Sequence, residues 1–163
     1  LVENVYHKST DTNSITTNIS LDLSTPVKEI IWVLKDTESN NNFNSHTTYT
    51  YNNKNILKTA KILWNRSNER VEEKDAIFFN KLQPYLHHSS VPKEGIYCYS
   101  FGLNPEKWQS TGYYNPGGRF SISTSLLLNV DGELSGRSIG IDVYILQYNI
   151  FEILGGMGGF KFS

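Results

Sequence analysis

The sequence has one cysteine, Cys98, so no disulfide can close within the 163 residues and no cluster of thiolates can hold a metal. A reducing compartment is compatible with that count. No apolar run reaches the ~18 residues that a membrane-spanning helix needs. Charge of one sign is missing too. Fifteen Lys and Arg face sixteen Asp and Glu, leaving a formal net charge of -1. That balance supplies no field to hold a nucleic-acid backbone or an anionic membrane. Neither a direct nucleic-acid partner nor membrane insertion is expected. The opening, LVENVYHKST, has no initiating methionine and no signal-peptide pattern. It reads as mid-chain, and the expectation is a piece of something longer.

What is present favours strands. Thr, Ser, Asn, Ile, Val and Tyr are abundant, and aromatics make up 13%. In SITTNISLDL, Ile15, Thr17, Ile19, Leu21 and Leu23 share one face and the polar residues share the other, the pattern of a half-buried antiparallel strand. VKEIIWVLKD is continuously apolar from Ile30 to Leu34, which fits a strand covered on both faces, with Pro26 marking the turn before it. Thr37 to Asn55 is rich in Asn, Ser and Thr and reads as a long surface loop, with a short strand in HTTYTY. ILKTAKILWN fits either helical or strand spacing, and its neighbours favour a strand. AIFFNKLQPYL predicts a short helical turn ending before Pro84.

The second half is firmer. GIYCYSFGLNP places Tyr97, Tyr99 and Phe101 on one strand face and Ile96 and Cys98 on the other. RFSISTSLLL alternates through Phe120, Ile122, Leu126 and Leu128. NVDGEL carries the Asp-Gly pair of a tight turn. The last strand has Ile139, Ile141, Val143 and Ile145 at odd positions, then Leu146, Tyr148 and Ile150 at even ones. Such a change of parity predicts a β-bulge or sharp bend between Ile145 and Gln147. About eight short strands, long polar loops and no long helix predict an all-β sandwich. A single jelly-roll domain over residues 1–163, made of two antiparallel four-stranded sheets, fits the strand count.

Candidate chemistry is thin. His87 and His88 are adjacent, and neighbouring side chains of an extended chain point to opposite faces, so the pair is a poor joint metal ligand. The helical zinc pattern of two histidines at i and i+4 around a glutamate is absent. His7 and His46 lie in polar segments with no acidic ligand at a readable spacing. The expectation is no metal and no cofactor, with one ring of the pair bonding a loop backbone and the other meeting solvent or a partner chain, an arrangement that would fix the loop between Pro84 and Pro92. A Cys98–His nucleophile pair is conceivable, but Cys98 lies mid-strand, where a buried thiol is usual. Asp142 is a lone acid on the final strand, and Glu69, Glu72 and Glu73 in the mixed-sign stretch ERVEEKD look solvent-facing. They make a weak glycosidase pair, although spacing alone does not rule one out. No catalytic residue is assigned.

GGMGGF lacks the strand-to-helix grammar of a phosphate loop, and its glycines more simply permit a turn or a close approach. Trp32, Trp64 and Trp108 offer either a sugar platform or anchors, core or interface anchoring being favoured for Trp32 and less so for Trp108. Asn18-Ile-Ser and Asn65-Arg-Ser match the N-glycosylation pattern, with Asn18 on the polar face of its strand.

One set of words is far more specific than these. Phe79, Gln83, Pro84, His87 and His88 form a Phe-x-x-x-Gln-Pro-x-x-His-His stretch. Gly95 to Phe101 form a Gly-Ile-Tyr-x-Tyr-Ser-Phe strand, and Asn104 to Glu106 an Asn-Pro-Glu turn. Tyr148, Asn149 and Gly155 to Gly159 give the ending. Together they resemble the major capsid protein of the nucleocytoplasmic large DNA viruses, densely over the second half and more loosely back to LKTAKILWNRSNER. The resemblance implies a double jelly-roll protein, of which this chain would be the C-terminal jelly roll with the N-terminal one absent. It implies homotrimeric, pseudo-hexagonal capsomers tiling an icosahedral virion, in contact with neighbouring capsomers and minor capsid proteins, and it implies no enzyme activity. An insertion at Pro116, Gly117, Gly118 and Arg119 departs from the family pattern and bears on local loop shape. Tyr97, Tyr99, Trp108, Tyr113 and Tyr114 would be suitable interface anchors. The competing readings are a carbohydrate-binding jelly-roll module and a hydrolase using Asp142 or the Glu69 to Glu73 cluster.

Overall fold

The computed structural model describes residues 1–37, 49–51, 54–64, 68–116 and 124–161. His46, Asn65, the alternating start at Phe120 and Ile122, and Gly117 to Arg119 of the insertion lie outside them. The strands are β1 (Val2–Thr12), β2 (Thr16–Leu21), β3 (Val27–Asp36), β4 (Thr50–Tyr51), β5 (Lys54–Asn55), β6 (Leu57–Trp64), β7 (Asn68–Asp75), β8 (Ile96–Ser100), β9 (Thr124–Val130), β10 (Ile139–Asn149), β11 (Phe151–Leu154) and β12 (Met157–Phe160). Eight of them build two antiparallel sheets, ordered β1-β10-β3-β8 and β2-β9-β6-β7. The chain changes sheet at nearly every connection, so sequence-distant strands pair: Val2 of β1 faces Asn149 of β10. That order is a jelly roll, as the strand count predicted.

The two inner faces meet in one core. Ile30, Trp32 and Leu34 of β3 and Ile139, Ile141, Val143 and Ile145 of β10 face Ile19, Leu21, Ala60, Ile62, Leu126 and Leu128 of the other sheet. Trp32 stands opposite both Tyr97 and Val143 in register, and Phe79 packs edge-on against it at 5.1 Å. Each such side chain contributes ~1.5–3 kcal/mol by leaving water. β3 is buried on both faces, as its apolar run implied.

The bulge expected between Ile145 and Gln147 appears at that level of the sheet, but in the neighbouring strand and not in the last one. The β10–β3 register shifts between Leu146 and Gln147, where Leu146 faces Glu29 and Gln147 faces Val27. The extra residue is Lys28, so the bulge sits in β3 while β10 continues unbroken against β1. The Asp-Gly pair makes the expected tight turn, though not one that joins a hairpin. Asp131 accepts a hydrogen bond from the Glu133 backbone N–H at 3.1 Å and starts a 3-10 turn, Gly132–Leu134, through which the chain crosses to the other sheet. One local expectation is corrected: the helix does not stop before Pro84. A π-helical turn, Phe78–Leu82, runs straight into α1, Gln83–His87. The wider turn leaves Pro84 in the first turn of α1, where its missing N–H costs nothing.

This helical segment covers the free edge of β8. Asn80 Nδ2 donates to the Ile96 carbonyl at 2.7 Å, and the Ser100 N–H donates to Gln83 Oε1 at 3.4 Å. Side-chain amides thus stand in for an absent neighbouring strand, closing an edge open to mispairing. No helix of the described residues is long and apolar enough to cross a membrane.

Candidate functional site

α1 ends at the two histidines, and their rings part. His87 Nδ1 donates to the Leu103 carbonyl at 3.1 Å, the backbone contact expected of one ring. The other ring, expected to meet solvent or a partner chain, does neither: His88 turns inward over the outer face of the β3–β8 pair, drawn to the buried Glu29. Its Nε2 lies 2.5 Å from Glu29 Oε1, and its Nδ1 lies 3.4 Å from Glu106 Oε1. Each ring nitrogen of His88 thus faces one carboxylate oxygen. Glu106 also accepts from the backbone N–H and the hydroxyl of Ser89, each at 3.0 Å. The Ser89 N–H, joined by the Ser89 hydroxyl and His88, holds the Glu106 carboxyl below its ordinary value. The two histidines and Glu106 therefore pin the 101–116 loop to the end of α1 and to the sheet.

Glu29 is the functional residue that the motif search missed. Its side chain is buried on the outer face of β3. The signal was a pair of charges, Lys28 and Glu29, opening a strand covered on both faces, since a buried charge requires a partner. Lys28 pairs with Glu3 and lies 5.5 Å over the Tyr148 ring. Glu29 pairs with His88.

The other candidates resolve into structure. Burial, with Glu29 nearby, pushes the Cys98 thiol far up, which is the reverse of an activated nucleophile. Asp142 lies between Lys35 Nζ at 2.5 Å and His7 Nε2 at 3.1 Å. Burial opposes its ionisation, but hydrogen bonds from Lys35, Ser9 and His7 outweigh burial and hold its carboxyl below the ordinary value. A carboxyl so held is a poor general acid. Glu73 accepts from Thr59 Oγ1 at 2.5 Å and Asn129 Nδ2 at 2.9 Å, and Glu72 pairs with Lys74. The Asn18 side chain is exposed on β2, as its polar-face position implied.

Of the five aromatic residues named as interface anchors, Tyr97 and Tyr114 are corrected to core. Tyr97 points inward from β8, and Tyr114 exchanges backbone hydrogen bonds with Val27 at 2.6 and 2.8 Å. Tyr99 packs against the core. Trp32 is fully buried, while Trp108 is 81% exposed on the loop that the histidines pin, together with Leu103 and Tyr113. Two further apolar surfaces appear. Ile77, Leu82, Tyr85 and Leu86 are exposed along the helical segment. The β11–β12 hairpin carries Phe151, Ile153, Leu154, Met157 and Phe160, all exposed. Its turn is Gly155–Gly156, both at positive φ (59° and 83°), as a two-residue type I′ turn requires. A Cβ at Gly158 would come within 2.7 Å of the Phe151 ring, so glycine lets that ring lie across the hairpin.

Residues 1–159 match the family described as large eukaryotic DNA virus major capsid protein. The chain belongs to that family. Among its curated relatives is a major capsid protein of Chrysochromulina ericina virus, 36% identical over 110 residues, a match covering 67% of this chain and 18% of that protein. Another, from Pyramimonas orientalis virus, is 30% identical over a match covering 94% of this chain and 41% of that protein. Among solved structures, a chain of the PBCV-1 virus capsid superposes with a TM-score of 0.77 at 21% identity, covering 99% of this chain and 50% of that one. The Faustovirus major capsid protein superposes with a TM-score of 0.70 at 13% identity, covering 89% of this chain and 32% of that one. These structures share the fold. The chain spans less than half of the curated relatives it matches.

Within this capsid family fold, the motif residues have readable work. Gln83 and Pro84 build the helical cover of β8; His87, His88 and Glu106 tie down the loop; Gly155 and Gly156 turn the hairpin.

Proposed function

We propose that this chain is the C-terminal jelly roll of a major capsid protein, a structural component of the virion with no enzymatic role. Residues 1–163 form one domain of that protein and pack beside an N-terminal jelly roll of the same polypeptide. Three such subunits form a pseudo-hexagonal capsomer, and capsomers tile an icosahedral shell with minor capsid proteins at their joints. The observation that carries this reading is the division of apolar side chains. One set seals a stiff sandwich, and a second set stands exposed on a hairpin, a pinned loop and a helix face. Permanent subunit interfaces are large and relatively apolar, and aromatic residues anchor them. Near-neutral charge lets like tiles approach without strong repulsion.

The test is the full-length protein in solution. Sedimentation and light scattering should give a trimer, and electron microscopy should show pseudo-hexagonal particles. A species that stays strictly monomeric at high concentration overturns the proposal.

A further inference from the structure

We propose that Glu29, His88 and Cys98 form a binding site for a divalent cation of the zinc class. The three residues come from β3, the end of α1 and β8, so no short sequence spacing betrays them. A carboxylate oxygen of Glu29, a ring nitrogen of His88 and the Sγ of Cys98 all lie within 4.8 Å of one another. Oxygen, imidazole nitrogen and thiolate sulfur are the donors zinc accepts.

Three further observations point the same way. First, Glu29 and Cys98 are both buried and lie together, with the His88 ring against the Glu29 carboxylate. A dication answers both that carboxylate and a thiolate. Second, His88 presents one ring nitrogen to Glu29 while the other faces the Glu106 carboxylate at 3.4 Å. A metal-bound histidine characteristically gives its second N–H to a carboxylate, which fixes the ring and raises its basicity. Third, a cleft of about 190 Å³, lined by Ile31, His88, Cys98 and Glu106 among others but not by Glu29, reaches two of the three donors. It offers the ion a way in and room for a water as fourth ligand.

The rearrangement is small. With bonds of about 2.0–2.3 Å, tetrahedral ligands stand about 3.4 Å apart. The contact between Glu29 and His88, now 2.5 Å, opens by about 1 Å as the ion enters. The Cys98 thiol proton and the proton shared by His88 and Glu29 leave to solvent. His87 takes no part, because its ring is turned to Leu103. The ion would clamp the loop bearing Trp108 to the sheet, through His88 and Glu106. The site is independent of the capsid reading and stands or falls separately.

The experiment titrates cobalt(II), then zinc(II), into chelator-treated full-length protein and follows the near-ultraviolet thiolate-to-cobalt band. Wild type should show the band, and zinc should displace it. Cys98→Ser should lose it, His88→Gln should weaken cobalt binding at least tenfold, and His87→Gln should leave it unchanged. Glu106→Gln, a substitution at a partly exposed position, should weaken binding about 10–100-fold. Indistinguishable cobalt spectra for wild type and a folded Cys98→Ser overturn the proposal. Should Cys98→Ser fail to fold, an unchanged cobalt affinity in Glu106→Gln overturns it equally.

Discussion

The sandwich and the terminal hairpin are both antiparallel β-structure, yet they use apolar side chains in opposite ways. In β3 and β10 nearly every side chain is buried, and the strands hold one another through the core. In β11 and β12 Ile153 is 71% and Met157 78% exposed, and the ribbon is held by the Phe151–Phe160 ring contact at 5.7 Å and a Lys161–Glu152 pair. An isolated two-stranded hairpin is at best marginally stable in water. The first region is stabilised by this chain's own residues. The second has the composition of a core element without the cover of one, so the same physical rule that builds the sandwich makes the hairpin a surface seeking a partner.

Four measurements would break or sharpen that contrast. The largest effect belongs to the centre of the sandwich. Trp32→Ala should cost about 3–5 kcal/mol in denaturant unfolding of the full-length protein, because it removes the side chain on which Phe79 and Tyr97 pack. A loss below about 1 kcal/mol would mean that the core is not organised around it. Next is the outer face of the same sheet. His88→Ala strands Glu29 without its partner and should cost about 2–3 kcal/mol, while adding Glu29→Gln should recover part of that loss. If the double variant is simply additive, the two residues are not coupled.

The third effect is smaller and depends on pH. Folding lowers the Asp142 carboxyl below its unfolded value, so its contribution is complete above the unfolded carboxylate range and disappears as pH falls through the folded value. Asp142→Asn should therefore cost about 1 kcal/mol or less near neutrality, and the wild-type and variant unfolding curves should converge in acid. A difference that persists unchanged in strong acid would assign the effect to packing instead. The smallest change in stability belongs to the hairpin. Ile153→Ser combined with Leu154→Ser should shift unfolding of the isolated subunit by no more than about 0.5 kcal/mol. The same variant should fail to form trimers or larger particles. Normal assembly by it would remove the hairpin from the interface.

Much of the sandwich was legible because alternation is a local signal. Ile19 and Leu21, the doubly buried β3 and the shift of register opposite Leu146 all follow from period two and its interruption. The family words over Phe79 to Glu106 were equally legible, being contiguous. The mistakes have a common origin. Pro84 was read by its commonest local behaviour, and it is decided by what precedes it, a π-helical turn. Tyr114 was read as a loop aromatic because nothing in its own segment shows that it bonds Val27.

The order of apolar and polar residues determined that this is a β-sandwich and which faces turn inward, while the motif words carried the family resemblance. Tertiary structure alone decided that Glu29, His88 and Cys98 would meet, that Asp142 would be claimed by Lys35 and His7, and that the hairpin's apolar residues would stay uncovered. The reason is range. Strand periodicity acts over a few residues, whereas a jelly roll joins strands from opposite ends of the chain, so charge pairing and exposure are set only once the sheets have closed.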